Sequence, residues 1–139
     1  VEEQEMNKRT VLIADDEPSV RKLVSRMLDK DYDVVEAENG TEAVNLASSL
    51  RPDIVFMDMM MPEVNGLSAC YAIKASETTR EIPVVMLTGV SYELNKRLSE
   101  DVLGADGYIT KPFTRQSLLE EMGRVMRSSD DTTEQVPHV

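Results

Sequence analysis

Five short apolar runs divide the chain, and stretches with helical periodicity separate them. The runs are Val11–Ala14, Asp33–Ala37, Ile54–Met57, Ile82–Leu87 and Gly107–Thr110. Several are apolar at consecutive positions and rich in β-branched residues, the pattern of a strand buried on both faces. Between the first two runs, Pro18 suits the first turn of a helix, and Val20, Leu23, Val24, Met27 and Leu28 repeat on one helical face. Asn39-Gly40 reads as a turn, and Thr41 is the expected cap of a second helix with Ala43, Val44, Ala47 and Leu50 inward. A third helix is expected over Leu67–Ser76, with Leu67, Cys70 and Ile73 on one face. Ser91 opens a fourth, whose stripe of Leu94, Leu98 and Val102 is thin, and Gly104 can end it in the left-handed conformation. Thr114 caps a last helix carrying Leu118, Met122, Val125 and Met126. Strand and helix alternate five times. The expected fold is α/β: a doubly wound five-stranded parallel sheet with five helices on both faces.

The ends look different. Residues 1–8 are acidic and polar without periodicity and read as a disordered arm or remnant. Residues 9–127 form the expected domain, and 128–139 read as a polar tail or truncated linker. With 139 residues and 41% hydrophobic content, one domain with one sizeable core is expected. Aromatic residues are scarce at 4%, and nine Met serve as adaptable filler. The net charge of −11 argues against direct partnership with nucleic acid or an anionic membrane. A single cysteine, Cys70, excludes an intrachain disulfide and fits a reducing compartment; its apolar helical position reads as buried filler. No apolar run reaches the length of a membrane span, so the expected location is cytoplasmic.

The chemistry collects where the strands end. Asp15-Asp16 closes the first strand, Asp58 the third, Thr88 the fourth and Lys111 the fifth. In an open parallel sheet the carboxyl ends of the strands lie along one edge, where ligands bind. Taken singly, each residue has a plain explanation: Asp15 as a cap, Thr88 as a turn residue, Lys111 as a solvated charge. Placed together, three carboxylates repel, and a hard divalent cation relieves the repulsion. An acidic trio beside a lysine and a hydroxyl is suited to phosphoryl transfer.

These residues carry a resemblance. LIADDEP (Leu12–Pro18), PDIVFMDMMMPEVNGL (Pro52–Leu67), IPVVMLTG (Ile82–Gly89) and GADGYITKPF (Gly104–Phe113) stand in the order and spacing of one family. The chain resembles the receiver domain of two-component response regulators over about Thr10–Arg127. The resemblance implies a flavodoxin-like fold with strand order 2-1-3-4-5. It implies that Asp58 accepts phosphate from a phosphohistidine on a sensor histidine kinase or phosphotransfer protein. It also implies Mg²⁺, with Mn²⁺ as a substitute. Asp16 would coordinate the ion directly, Asp15 mainly through a metal-bound water, and Met60 by its backbone carbonyl. Thr88 would bond the phosphoryl oxygen, and Lys111 would pair with Asp58 and then with its phosphate. The Gly89 N–H would approach the phosphate. Tyr108 would be the aromatic switch whose ring moves inward with Thr88. The Lys111-Pro112 bond would be cis. A downstream protein or output domain would be controlled through the face formed by the fourth helix, fifth strand and last helix, with room for a phosphorylation-linked homodimer.

Such a domain is a signalling phosphoacceptor, self-catalysed in gaining and losing phosphate, rather than a turnover enzyme. An aspartate-nucleophile phosphohydrolase would resemble Asp-x-Asp at the nucleophile, and Met60 stands at the second place. A phosphate-independent docking receiver typically lacks the acceptor, acidic pair or lysine, all present here. No G-x-G-x-x-G follows the first strand, against a dinucleotide site. Met60 and Val90, two residues past Asp58 and Thr88, are apolar and cannot orient an attacking water, which predicts a long-lived phosphate. About a dozen residues follow the last expected helix, too few for an output domain. The only histidine, His138, lies among them, so no phosphohistidine donor is expected within the chain.

Overall fold

The computed structural model describes residues 8–89 and 104–135, with side chains through residue 126. Residues 1–7 of the expected arm, the fourth helix with Ser91, Leu94, Leu98 and Val102, Val90 and His138 lie outside the described residues. The elements run β1 (Arg9–Ala14), α1 (Pro18–Leu28), β2 (Tyr32–Ala37), α2 (Gly40–Leu50), β3 (Ile54–Asp58), α3 (Gly66–Ala75), β4 (Val84–Thr88), β5 (Gly107–Thr110) and α4 (Arg115–Gln135). The five strands are parallel in the order β2-β1-β3-β4-β5. This is the expected doubly wound sheet, with four helices among the described residues.

Period-two alternation divides the sheet's side chains between two cores. Val11, Ile13, Ile54, Phe56, Val85 and Leu87 pack with Val24 and Leu28 of α1 and Leu118 and Met122 of α4. Leu12, Ala14, Val55, Met57, Val84 and Met86 pack with Ala43 and Ala47 of α2 and Cys70 and Ile73 of α3. Each fully buried large side chain, such as Phe56 or Leu87, contributes about 1.5–3 kcal/mol. That consecutive strand residues feed opposite cores explains why β3 and β4 read as unbroken apolar runs. Cys70 is fully buried, and burial pushes its thiol up to about 12, as suits a filler position.

Several local expectations are corrected. Asn39, not Thr41, caps α2: its Oδ1 accepts the Glu42 N–H at 2.8 Å. An Asn one residue before Gly40 reaches the free N–H groups of the first turn. Leu50 and Leu23 are exposed rather than inward. The buried stripe of α1 is Arg21, Val24 and Leu28, so the helix is rotated from its apolar reading. β4 begins at Val84, because Pro83 has no N–H for the ladder; its carbonyl still accepts from Val55 N at 2.9 Å. Helical backbone continues to Gln135, through residues expected to form a polar tail. Thr114 does cap α4, accepting the Ser117 N–H at 3.1 Å, and Gly104 takes the left-handed φ of 77°.

Candidate functional site

Register assembles the site before any side chain is considered. Ala14 pairs with Met57, so the next residues on β1 and β3, Asp15 and Asp58, leave the sheet side by side. Asp58 pairs with Leu87, one short of Thr88, and Thr88 pairs with Thr110, one short of Lys111. Four strand ends thus advance together along one edge. Asp15, Asp58 and Lys111 follow the pleat parity of the core toward α1 and α4; Thr88 and Tyr108 follow the other. Met86 pairs with Tyr108, which places Thr88 diagonal to Tyr108 on that second face.

The loop after β3 is drawn tightly over this edge. The Gly66 N–H donates to the Met59 carbonyl at 3.1 Å, and Asn65 caps α3 through the Ser68 N–H at 2.9 Å. A Cβ on Gly66 would overlap the Asp58 carbonyl oxygen, so this position must be glycine while the loop keeps its path. The close approach positions the peptide that follows the candidate acceptor.

Asp15 is fully buried and Asp58 nearly so, whereas Asp16 is exposed. Carboxylate oxygens of all three lie within 4.8 Å of one another. Lys111 Nζ bridges the two buried ones, 2.9 Å from Asp15 Oδ2 and 3.2 Å from Asp58 Oδ1. Asp15 Oδ1 also accepts the Glu17 N–H at 2.9 Å. The lysine is held in turn by its backbone N–H, which donates to the Thr88 carbonyl at 2.8 Å, and the Lys111-Pro112 bond is cis.

Burial, then the neighbouring Asp15 charge, pushes the Asp58 carboxyl from 3.8 up to about 6, against the pull of Lys111 and of the Met60 N–H. Burial alone would lower the Lys111 ammonium, but the Asp15 hydrogen bond and both carboxylate charges raise it. One ammonium serves two carboxylates and takes its shorter bond to Asp15. Three carboxylates against one ammonium leave excess negative charge in a partly dry site, made only of hard oxygen donors. That donor chemistry fits Mg²⁺, which takes carboxylate and carbonyl oxygens and keeps several waters.

The remaining candidates are placed as follows. Met60 is 79% exposed directly after the acceptor loop begins, and Gly89 is exposed at the end of β4. Thr88 and Tyr108 are buried. Beside Asp16 the surface opens into a cavity of about 400 Å³, lined also by Arg21, Asn39, Pro62 and Glu63. A larger hollow of about 530 Å³, near Arg9, Arg51 and Asp53, contains none of the candidate residues. We assign the chemistry to the acidic edge because charge and donors converge there.

Two residues escaped the sequence reading. Glu121 of α4 accepts the Tyr108 N–H at 2.9 Å, satisfying a donor on the edge strand β5. Arg21 donates to the Asp15 carbonyl at 2.8 Å and pairs with Glu36 at 3.0 Å. Its signal was present: Arg21, Val24 and Leu28 fall at i, i+3 and i+7.

Residues 11–123 match the family described as response regulator receiver domain. The chain is 35% identical over 129 residues to the DNA-binding dual master transcriptional regulator RpaA of Synechocystis, covering 92% of this chain and 53% of that protein. It is also 35% identical to the phosphate regulon transcriptional regulatory protein PhoB of Pseudomonas aeruginosa, covering 93% and 56%. The chain therefore spans about half the length of these curated relatives. Among solved structures, chemotaxis protein CheY4 of Vibrio cholerae superposes with a TM-score of 0.79 at 33% identity, covering 85% of this chain and 98% of that one. The receiver domain of sensor histidine kinase PA1611 from Pseudomonas aeruginosa, with a magnesium ion in its active site cleft, gives 0.78 at 28% identity, covering 86% and 98%. Among the described residues no helix is long and apolar enough to cross a membrane. The sheet order, the acidic edge and these similarities agree, and the chain belongs to the response regulator receiver domain family.

Proposed function

We propose that Asp58 is the phosphoacceptor of this receiver domain and that it takes the phosphoryl group from a phosphohistidine on a sensor kinase or phosphotransfer protein. The observation that carries the reading is the convergence of Asp15, Asp16 and Asp58 within 4.8 Å, with Lys111 bridging the two buried carboxylates. In the transfer, one Asp58 oxygen forms a bond to phosphorus as the P–N bond breaks, and the electron pair returns to the imidazole. Little covalent work falls to the protein, so positioning and charge stabilisation supply most of the catalysis.

Asp16, Asp15 through a water, Asp58 and the Met60 carbonyl would hold Mg²⁺, as the magnesium in the PA1611 receiver supports. When bound, the ion neutralises the carboxylates and the incoming phosphoryl oxygens. Lys111 shifts from the Asp58 carboxylate to the phosphate that replaces its charge. The Gly89 N–H and the Thr88 hydroxyl bond the phosphoryl oxygens from the neighbouring strand end. Loss of the phosphate by attack of water is part of the same self-catalysed cycle.

The new phosphate adds about two negative charges at one point. Carrying a two-state element from 1:99 to 99:1 needs about 5.5 kcal/mol of differential interaction. One charge-assisted hydrogen bond supplies about 1.5–3 kcal/mol. Thr88 therefore acts together with Lys111, the Gly89 amide and the metal. Tyr108, diagonal to Thr88 and tied to α4 through Glu121, is the readout within the described residues. A downstream protein or output domain would read this face, and phosphorylation-linked pairing of two copies would use it too.

The deciding experiment is intact mass after incubation with acetyl phosphate and Mg²⁺. Wild type gains one phosphoryl group, and Asp58→Ala gains none. Equal gain by both proteins, or none by wild type, overturns the reading.

A further inference from the structure

A buried guanidinium on α1 is the feature this function leaves unexplained. Arg21 is only 9% exposed, on the inward stripe of α1 with Val24 and Leu28. Burying such a charge is costly unless it is paired and hydrogen-bonded. Here Nε pairs with Glu36 Oε1 of β2 at 3.0 Å. Nη1 donates to the carbonyl oxygen of Asp15 at 2.8 Å. A leucine on the same stripe would fill the space without the cost, so what Arg21 adds is the bond to that carbonyl.

That carbonyl belongs to the peptide joining Asp15 to Asp16. A peptide unit is planar, so holding its oxygen sets where the next residue leaves. The rest of Asp15 is already tied down: its N–H donates to the Ala37 carbonyl at 3.1 Å, and its carboxylate meets Glu17 N–H and Lys111 Nζ. Among the described residues Asp16 has no such frame. It is exposed, and its carboxylate must nevertheless lie with those of Asp15 and Asp58. The Arg21 bond is the contact that orients the peptide from which Asp16 springs, and Glu36 braces Arg21 against β2.

We propose that Arg21 is a positioning residue for the cation site, acting through the Asp15–Asp16 peptide plane with Glu36 as its brace. This rests on the reading of the acidic trio as a Mg²⁺ site. Outer partners that orient metal ligands typically change affinity by about 10–100-fold.

The test is the Mg²⁺ dissociation constant, by titration calorimetry on the folded full chain, for wild type, Arg21→Met, Glu36→Gln and Leu28→Val. Arg21→Met is expected to weaken binding by about tenfold. Glu36→Gln, which keeps an acceptor for Arg21 and disturbs the fold less, should weaken it by roughly threefold, below that range. Leu28→Val removes core volume from the same helix without touching the carbonyl, and should keep the wild-type constant. A merely structural arginine would lower the melting temperature of the metal-free protein and leave the constants unchanged. Should Arg21→Met fail to fold, Glu36→Gln decides. Wild-type binding that is unchanged in the variants overturns this inference alone. Wild type that binds no Mg²⁺ overturns the cation-site reading and this inference with it.

Discussion

Lys111 lies closer to Asp15, at 2.9 Å, than to Asp58, at 3.2 Å, although Asp58 is the candidate acceptor. The lysine is thus anchored on Asp15 and only leans on the proposed acceptor. Such a cation can follow charge as it moves from the Asp58 carboxylate to a phosphate without losing its anchor. Removing it leaves two buried carboxylates side by side. Lys111→Met should destabilise the metal-free protein by about 2 kcal/mol at neutral pH, below the 3–5 kcal/mol seen for fully buried pairs. Saturating Mg²⁺ should recover much of the loss. Urea melts with and without Mg²⁺ measure both; equal stability of variant and wild type without metal would contradict the bridging role.

The raised Asp58 carboxyl has a consequence for stability. Its value in the folded chain, about 6, exceeds its ordinary 3.8, so folding favours the protonated form. Its stabilising contribution is present below about pH 4 and is lost as pH rises through 6. Asp58→Asn removes that dependence. Without metal, the variant should match wild type near pH 4 and exceed it at pH 7–8 by about 2 kcal/mol, allowing for partial solvent screening. Mg²⁺ binding should weaken as pH falls below 6, because the proton and the ion compete for one carboxylate. Denaturant melts at the two pH values, without metal, test the sign.

Gly66 is a steric prediction. An alanine Cβ there would overlap the Asp58 carbonyl oxygen, a backbone atom with little freedom to retreat. Gly66→Ala should cost about 3 kcal/mol, at the upper end for overpacking, and should slow phosphorylation by displacing the acceptor peptide. A melting temperature within a degree or two of wild type would show that the loop gives way easily.

Met60 bears on the lifetime of the acyl phosphate. Met60 is 79% exposed beside the proposed acceptor, and its side chain has no group to orient a water. Met60→Asn should speed loss of phosphate by roughly tenfold, below the 10²–10⁴ of a well-positioned general base. Decay of the phosphorylated mass after removal of acetyl phosphate measures it. Val90, the companion position, lies outside the described residues.

Tyr108 should report the change of state. Backbone and ring NMR shifts of Tyr108 are expected to move when Mg²⁺ and beryllofluoride are added, and to move less in Thr88→Ala. Shifts that stay fixed in wild type would break the proposed link between the strand end of Thr88 and Tyr108. The fourth expected helix, part of the same readout in the sequence analysis, lies outside the described residues.

Much of this was written locally. Unbroken apolar runs announce strands buried on both faces, and Pro18 and Thr114 mark helix starts because their effects act within a turn of the chain. Asp15, Asp16, Asp58, Thr88 and Lys111 could be nominated because each follows such a run. What the sequence could not contain was how the runs align and which way each helix rolls. The pairing of Ala14 with Met57 and of Thr88 with Thr110 makes five scattered residues one edge, and register is a property of strands in contact. The burial of Arg21 in place of Leu23 was decided by Glu36 and the Asp15 carbonyl, which offer a guanidinium partners that no local pattern displays. The upward shift of Asp58 likewise exists only where the ends of β1 and β3 lie side by side, since the burial and the Asp15 charge that raise it come from residues far apart in the chain.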